Sequence, residues 1–474
     1  MKAILDSAGR PLPTSSRRRQ VAAKYDAAQT TPGNAKHWSN ADGLSALSAN
    51  SPSVRRTLRN RARYEVANNS YASGIVQTLA NDLVGTGPRL QLLTDNHDLN
   101  RTLEREFFAW SQAVRLARKL RTMRQARAVD GEAFGVMTTN PHHVHPVLLD
   151  VQLIEADQVA SNEYIDKKNT ADGIEFDSFG NPIRYNILDE HPGDWMSFAG
   201  SSTPHSADVV LHWFREDRPG QRRGIPDLTP ALPLFAQLRR FTLAVIRAAE
   251  LAAEWTLFLK TNSPAYDDDG GQMGPAEIEQ GAFWPFEFDY GMMTTLAEGW
   301  EPFQLKAEQP ASTYEMFKRE ILNEIARCMN MPYNIAAGNS SGYNYASGRL
   351  DHQTYFKSIR IDQSDMETAI LDRILNVWLK EASYTFDDVE LPVSVPHQWF
   401  WDGMEHVDPA KEAKAQATRL DSNTTTLAVE YARQGKDWED ELRQRGKEIA
   451  LMKNLGLSLP SGVRSNEEDD DEEK

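Results

Sequence analysis

Gly338-Asn339-Ser340-Ser341-Gly342 fits G-x-S-x-G, the spacing at which a hydrolase serine sits on a sharp turn from strand to helix. Such a turn needs a buried strand just before it. Here Pro332-Tyr333-Asn334 leads in and polar or small residues follow, so the segment reads as a polar loop, with Ser340 as a nucleophile the alternative. His142, His143 and His145 are of a type that binds metals. No cysteine and no carboxylate at helical spacing stands beside them, and ordinary loop histidines are expected. No Gly-Lys-Ser/Thr phosphate loop occurs anywhere, which excludes an ATP-driven motor. The residue types predict no catalytic centre, no metal and no cofactor.

The elements that would position any site must therefore carry the function. The chain has 474 residues, 25% charged and 40% hydrophobic, which predicts a folded soluble protein of several units. A single cysteine, Cys328, excludes a disulfide framework and suits a reducing cytoplasm. The first residues lack the apolar run of a secretory signal, and no membrane span is expected. A net charge of −16 argues against wrapping DNA around the whole surface; DNA passing through without adhering is compatible with it. Part of that charge lies in EEDDDEEK from Glu467, which reads as a solvated tail.

Residues 1–50 read as a flexible arm with a basic knot at Arg17, Arg18 and Arg19. Helix begins near Pro52, where Val54, Leu58, Ala62 and Val66 form an apolar stripe and arginines cover the rest; Asn68-Asn69 breaks it. A second helix runs from Tyr71 to Leu83 and stops at the glycines of VGTGP. One helix is expected from Asp98 to Arg127, its basic second half (Arg115 to Arg127) forming a solvated or subunit-facing surface. From Gly131 to Phe214, apolar segments separated by Gly, Asn, Pro and Asp read as strands.

Arg215–Trp255 differs from both. A basic loop with Arg218, Arg222 and Arg223 precedes a helix that Asp227 or Thr229 would cap, with Pro230 in its first turn. From Ala231 onward most residues are apolar, so this helix, roughly 40 Å long, must be covered on several sides. A small β-rich insertion follows, then a second amphipathic helix from Tyr314 to Met329, the polar loop NIAAGNSSGYNYASG, and a very long helix to about Ala382. Three shorter helices complete a small bundle.

Five stretches in this order resemble the lambda-type portal proteins of tailed bacteriophages: NNSYASGIVQTLANDLVGTG (68–87), GEAF (131–134), RPGQRRG (218–224), the Ala-rich helix 244–254, and EIARCMNMPY followed by NYASGR. The similarity spans about 50–455. It implies a mainly helical α+β portal fold, assembled as a homo-oligomeric ring of twelve around a channel for double-stranded DNA. The implied parts are a wing (51–228), a first stem helix (229–255), a clip (256–312), a second stem helix (313–333), a tunnel loop (334–347), a long helix with return strands (348–407), a crown (408–456) and an acidic tail (457–474). Ala248, Ala249, Ala252 and Ala253 would pack neighbouring stems. Asp267, Asp268, Asp269 and Gln272 of the clip would dock partners, and Asn339, Ser340, Ser341, Gly342, Tyr343, Asn344 and Tyr345 would face DNA. Arg218, Arg222 and Arg223 become a joint between wing and stem rather than a free DNA patch. The implied partners are the terminase large subunit, the major capsid protein and a head-completion or adaptor protein; the location is the virion, after assembly in the host cytoplasm. A hydrolase and a monomeric adaptor are the competing readings.

Overall fold

In a computed structural model, residues 31–161, 169–194, 201–253, 257–261, 300–304, 311–386, 395–403 and 409–457 are described; of 251–253, 257–261, 300–304, 311–313, 345–346 and 409 the backbone alone is described. Of the described residues, 31–49 belong to a unit of their own, which ends in the single-turn helix α1 (Ala46–Ala49).

The second unit starts with α2 (Pro52–Asn68), where proline costs no hydrogen bond in the first turn. The Asn69 side chain accepts from the Tyr71 and Ala72 amides and so starts α3 (Ser70–Val84), which is buried along Ile75, Val76, Leu79 and Leu83. β1 (Arg89–Leu92) and α4 (His97–Ala113) follow. The expected single helix is broken here. Arg115 takes a left-handed conformation (φ 55°), because Val114 and Leu116 on either side are both drawn into the core, and α5 (Leu116–Asp130) leaves at a new angle.

Gly131 then turns the chain into β2 (Glu132–Thr139), which lies between β3 (Leu149–Ile154) and, later, β8 (Val210–Phe214), all antiparallel. β4 (Thr170–Ala171), β5 (Ile174–Phe176), β6 (Pro182–Leu188) and β7 (Ser202–Ser206) make a second antiparallel sheet in sequential order. Alternation along β2 separates two cores. Ala133 and Met137 join the large helical core, while Phe134 and Val136 join a small one with Ile174, Tyr185 and Ile187. Glu132 shares the face of Phe134 and Val136.

α6 (Leu232–Ala253) leads to β9 (Leu257–Thr261), which pairs antiparallel with β10 (Trp300–Gln304), and α7 (Ala311–Arg327) returns. α8 (Tyr333–Ala337) is short. α9 (Tyr345–Met366) and α10 (Asp372–Thr385) are one long helix joined by a π stretch at Glu367–Leu371. Trp401 Nε1 donates to Glu367 Oε1 (2.6 Å) and Trp399 Nε1 to Asp372 Oδ1 (2.8 Å), which docks β11 (His397–Phe400) on that turn. β11 pairs with β1, and Asp402 then accepts from the Thr86 amide (2.5 Å) and hydroxyl (2.7 Å). A Cβ on Gly85 would overlap that carboxylate, which explains a glycine in VGTG.

α11 (Pro409–Asp421), α12 (Leu427–Arg433) and α13 (Trp438–Asn454) form the last bundle, with Arg419 between Glu412 (2.9 Å) and Glu430 (3.0 Å). Asp437 caps α13 and also accepts from Gln91 on β1. The same cleft holds Glu104, whose Oε1 accepts from the Leu92 amide (2.6 Å); His97, Arg101 and Arg443 line it too. Burial, together with the nearby Asp437, Asp440 and Glu439 carboxylates, pushes Glu104 up to about 7, against a partial offset from the Leu92 amide. Its folded pKa lies above its unfolded value of 4.5, so its contribution to this contact is full below 4.5 and is lost as pH rises through about 7. Hydrogen exchange in α13, corrected for intrinsic rates, should therefore quicken between pH 6 and pH 8, and Glu104→Gln should remove that pH dependence.

Among the described residues, no helix is long and apolar enough to cross a membrane.

Candidate functional site: stem hairpin, joint and loop

Three places matter for the expected role: the α6–α7 hairpin, the charged joint beneath it, and the loop between α8 and α9. At the joint, Arg223 is wholly buried. Its Nε and Nη2 donate to Glu132 (2.8 and 2.7 Å), Nη1 to the Val159 carbonyl (3.1 Å) and to that of Asp172, and Nη2 also to that of Ala156 (3.4 Å). The Gly224 amide donates to Glu132 Oε2 (3.1 Å).

Burial alone would raise the Glu132 carboxyl. The Arg223 guanidinium and the His212 bond outweigh it and hold Glu132 well below the usual carboxylate range. Burial pulls His212 below its ordinary value in spite of Glu132. Because an ionised Glu132 can only accept, His212 Nε2 donates to it (3.3 Å), leaving Nδ1 to accept from the Tyr185 hydroxyl (3.3 Å). Two sequence motifs meet at this point: a Cβ on Gly224 would overlap the Gly131 carbonyl, and one on Gly131 would lie 2.5 Å from the Ile225 carbonyl carbon. Gly224 of RPGQRRG and Gly131 of GEAF are thus explained by backbone packed on backbone.

The network extends where the sequence pattern pointed elsewhere. On α2 the buried positions are Arg55, Arg59, Ala62 and Glu65, while Val54 of the expected apolar stripe is 40% exposed. Arg55 pairs with Asp172, Arg59 with Asp157 (2.6 Å) and Glu132 (3.5 Å), and Arg63 with Asp130 (2.7 Å). These carboxylates make it possible to bury arginines that a helix in isolation would turn to water. Likewise Arg124 and Arg127, expected on a solvated face, are buried: Arg124 binds Asp227 (3.0 Å) and Arg127 binds Asp362 of α9 (2.9 Å). Asp227 is consequently not a helix cap. It serves Arg124 and Arg215 (3.1 Å), and the turn before α6 is a 3-10 turn without a side-chain cap. Arg222 lies over the Phe176 ring (4.4 Å), and Arg218 is exposed in the turn whose carbonyl accepts from the Gln221 amide (3.1 Å).

Ala231, Leu232, Phe235 and Leu238 anchor α6 in the main core, and Arg239 pairs with Glu65 (3.1 Å) over the Tyr64 ring. Beyond Arg239 no described α6 side chain is buried. Phe241 stacks on Tyr314 (5.7 Å) and meets Phe317 of α7 at a tilt (4.7 Å), while Leu243 is 51% and Met316 61% exposed, and Ile246 and Phe317 are about half exposed. Ala248 and Ala249 are half-buried; of Ala252 and Ala253 only the helical backbone is described. Asp267, Asp268, Asp269 and Gln272 lie outside the described residues.

The loop is shorter than expected. α8 occupies Tyr333–Ala337 and closes on Gly338 in a left-handed conformation (φ 61°), and the Asn344 side chain caps α9 at the Ser347 amide (2.9 Å), so Tyr345 is already helical. Asn339, Ser340, Ser341, Gly342 and Asn344 are exposed, and Tyr343 is half-buried. A helix rather than a strand precedes Ser340, which is not the nucleophile-elbow geometry. Both ends are held: Asn334 Nδ2 and His352 Nε2 lie 3.0 Å apart, and the Tyr355 hydroxyl donates to Asp82 (2.8 Å).

The three histidines do not converge. His143 Nε2 faces Asp150 (3.1 Å), and the buried His145 lies 3.7 Å from Glu106. Glu155, Asp157 and His191 do lie within metal-ligand reach of one another, but Arg63 already bridges the two carboxylates (3.3 and 2.8 Å).

A mainly helical α+β body, a helical hairpin with an uncovered apolar side and an exposed polar loop before a long helix are the features of a phage portal protein. The chain belongs to the lambda family of these proteins: residues 34–363 match the family described as "Phage portal protein, lambda family". It is 25% identical over 456 residues to the probable portal protein of Halomonas phage phiHAP-1, covering 88% of this chain and 86% of that one. It is 20% identical over 470 residues to portal protein B of Escherichia phage lambda, covering 86% and 88%. Among solved structures, a chain from the neck of a native GTA particle computed with C12 symmetry is similar at 12% identity and a TM-score of 0.47, covering 81% of this chain and 94% of that one.

Proposed function

We propose that this portal protein forms a closed ring, of twelve subunits as the family resemblance implies, at one vertex of a capsid. Double-stranded DNA passes through its channel during packaging and ejection. The observation that carries this reading is the hairpin: from Arg239 outward, α6 and its α7 partner leave Leu243, Ile246, Met316 and Phe317 partly exposed to water. An apolar surface of this kind marks an interaction site, and copies of the same hairpin would cover it, with Ala248, Ala249, Ala252 and Ala253 allowing close approach.

In that ring the α6–α7 hairpin is the stem, 256–312 the clip where the terminase large subunit and later a head-completion or adaptor protein dock, and 408–456 the crown. The major capsid protein surrounds the ring, first in the host cytoplasm and then in the virion. The loop from Gly338 to Asn344 approaches DNA with uncharged Asn, Ser and Tyr groups, which touch phosphates without the salt-dependent grip of lysine or arginine. A net charge of −16 per chain, about −192 for twelve, keeps the passage from adhering to the duplex. The role is that of a conduit, not a catalyst. Negative-stain images of the purified protein test it: end-on views should show rings with a central hole, and a field of single compact particles would overturn the ring.

A further inference from the structure

We propose that adjacent subunits are keyed to one another by an ion pair between Arg240 on α6 of one copy and Glu320 on α7 of the next; this rests on the ring reading above. Each helix has one face committed inside its own subunit. On α6 the inner face is Leu238, Phe241 and Val245, and the opposite, exposed stripe is Arg240, Leu243, Ala244 and Arg247 at helical spacing. On α7 the inner face includes Ile321 and Ile325, with the half-exposed Phe317 at its margin, and the exposed stripe is Met316, Glu320, Asn323 and Glu324, closed at the base by Arg327.

The signs of these stripes follow from where the other charges are used. α7 spends its upper cations on rings, with Lys318 over Tyr71 and Tyr314 and Arg319 over Tyr333, which leaves the outward stripe acidic along its length. α6 spends Arg239 on Glu65, and among the described residues Arg240, Arg247, Glu320 and Glu324 have no ion-pair partner. From Arg240 to Arg247, short of the exposed Glu250, one subunit therefore presents a basic, partly apolar stripe on α6, and it presents an acidic, partly apolar stripe on α7.

Level matching selects the pair. The two helices run antiparallel: Arg215, Asp227 and Pro230 before α6 share an open groove with Glu320, Glu324, Arg327 and Cys328 of α7 and the turn after it, and Phe241 packs on Phe317. Arg240 is one residue below Phe241 and Glu320 three residues below Phe317, so they differ in height by about 3 Å at 1.5 Å per residue. With the hairpin set along the ring axis, rotation about that axis leaves height unchanged, so the neighbour's Glu320 arrives at the level of Arg240. The contact is head-to-tail, as ring closure requires.

The test uses the full-length protein with Arg240→Glu, Glu320→Arg, both changes in one chain, and an equimolar mixture of the two single variants, each read by mass photometry. Each single variant places like charges together at every interface, and its half-assembly concentration should rise about tenfold or more. The double variant should assemble as the wild type does. The mixture should give rings in which the two variants alternate, with equal numbers of each by native mass spectrometry. As a second readout, Arg240→Cys combined with Glu320→Cys should oxidise to a ladder of covalently linked subunits, because each chain offers one cysteine to the neighbour on either side. Single variants that assemble like wild type, no rescue in either the double variant or the mixture, or no ladder from assembled rings would overturn the pairing while leaving the ring intact. A wild type that forms no ring would overturn the ring reading itself.

Discussion

Arg223→Met should destabilise the subunit body by about 3–5 kcal/mol, the range for breaking a buried ion pair from one side. That is a large share of the roughly 5–15 kcal/mol that holds a typical domain folded. The cause is what the substitution leaves behind. Glu132 is fully buried, with Arg223 and His212 its main compensation, and the Val159, Ala156 and Asp172 carbonyls lose their donor together. Methionine fills much of the volume but satisfies none of these acceptors. Urea unfolding followed by circular dichroism should show the midpoint fall sharply, and Arg223→Met with Glu132→Met should recover part of the loss, since the second change removes the stranded charge. Acid should act in the same direction. Glu132 is held below its unfolded value of 4.5, so its stabilising contribution is complete above that pH and is lost as pH falls below it. An unchanged urea midpoint for the single variant would mean that the network is not what fastens the strands of β2 and β8 to the approach to α6.

Deleting residues 339–343 should leave ring formation unchanged and reduce DNA-filled heads to a small fraction of wild type. The deletion joins two ends that are already independently fixed, Gly338 closing α8 and Asn344 capping α9, so no core side chain is removed. What is lost is the exposed polar tip. Electron micrographs of heads from cells carrying the shortened gene would count full against empty particles, and a wild-type proportion of full heads would remove the loop from the DNA path. Ser340→Ala should leave that proportion untouched, whereas a hydrolase that relied on Ser340 would lose its activity.

Where sequence reading succeeded, the local signal and the tertiary environment agreed. Asn68-Asn69 does separate α2 from α3, the glycines of VGTG do end α3, and the apolar runs from Gly131 to Phe214 are strands, because each is decided within a few residues. Where it failed, distant partners decided. Arginine on a helix reads as a surface residue, yet Arg59 and Arg63 of α2 meet Asp157 and Asp130, which are 98 and 67 residues away. Asp227 looks like a helix cap until Arg124, 103 residues earlier, takes its carboxylate. The break at Arg115 comes from two apolar neighbours seeking the core, not from any glycine or proline. The density of arginine in RPGQRRG did mark a special place; its partner Glu132 sat unremarked beside Gly131 in GEAF, and a lone buried-strand glutamate was the one cue available.

The ring is the central claim, and particle mass in solution tests it most directly. Mass photometry of the purified full-length protein should show a dominant species at about twelve times the 53.4 kDa chain mass. A single population at 53.4 kDa that persists as concentration is raised would contradict the account.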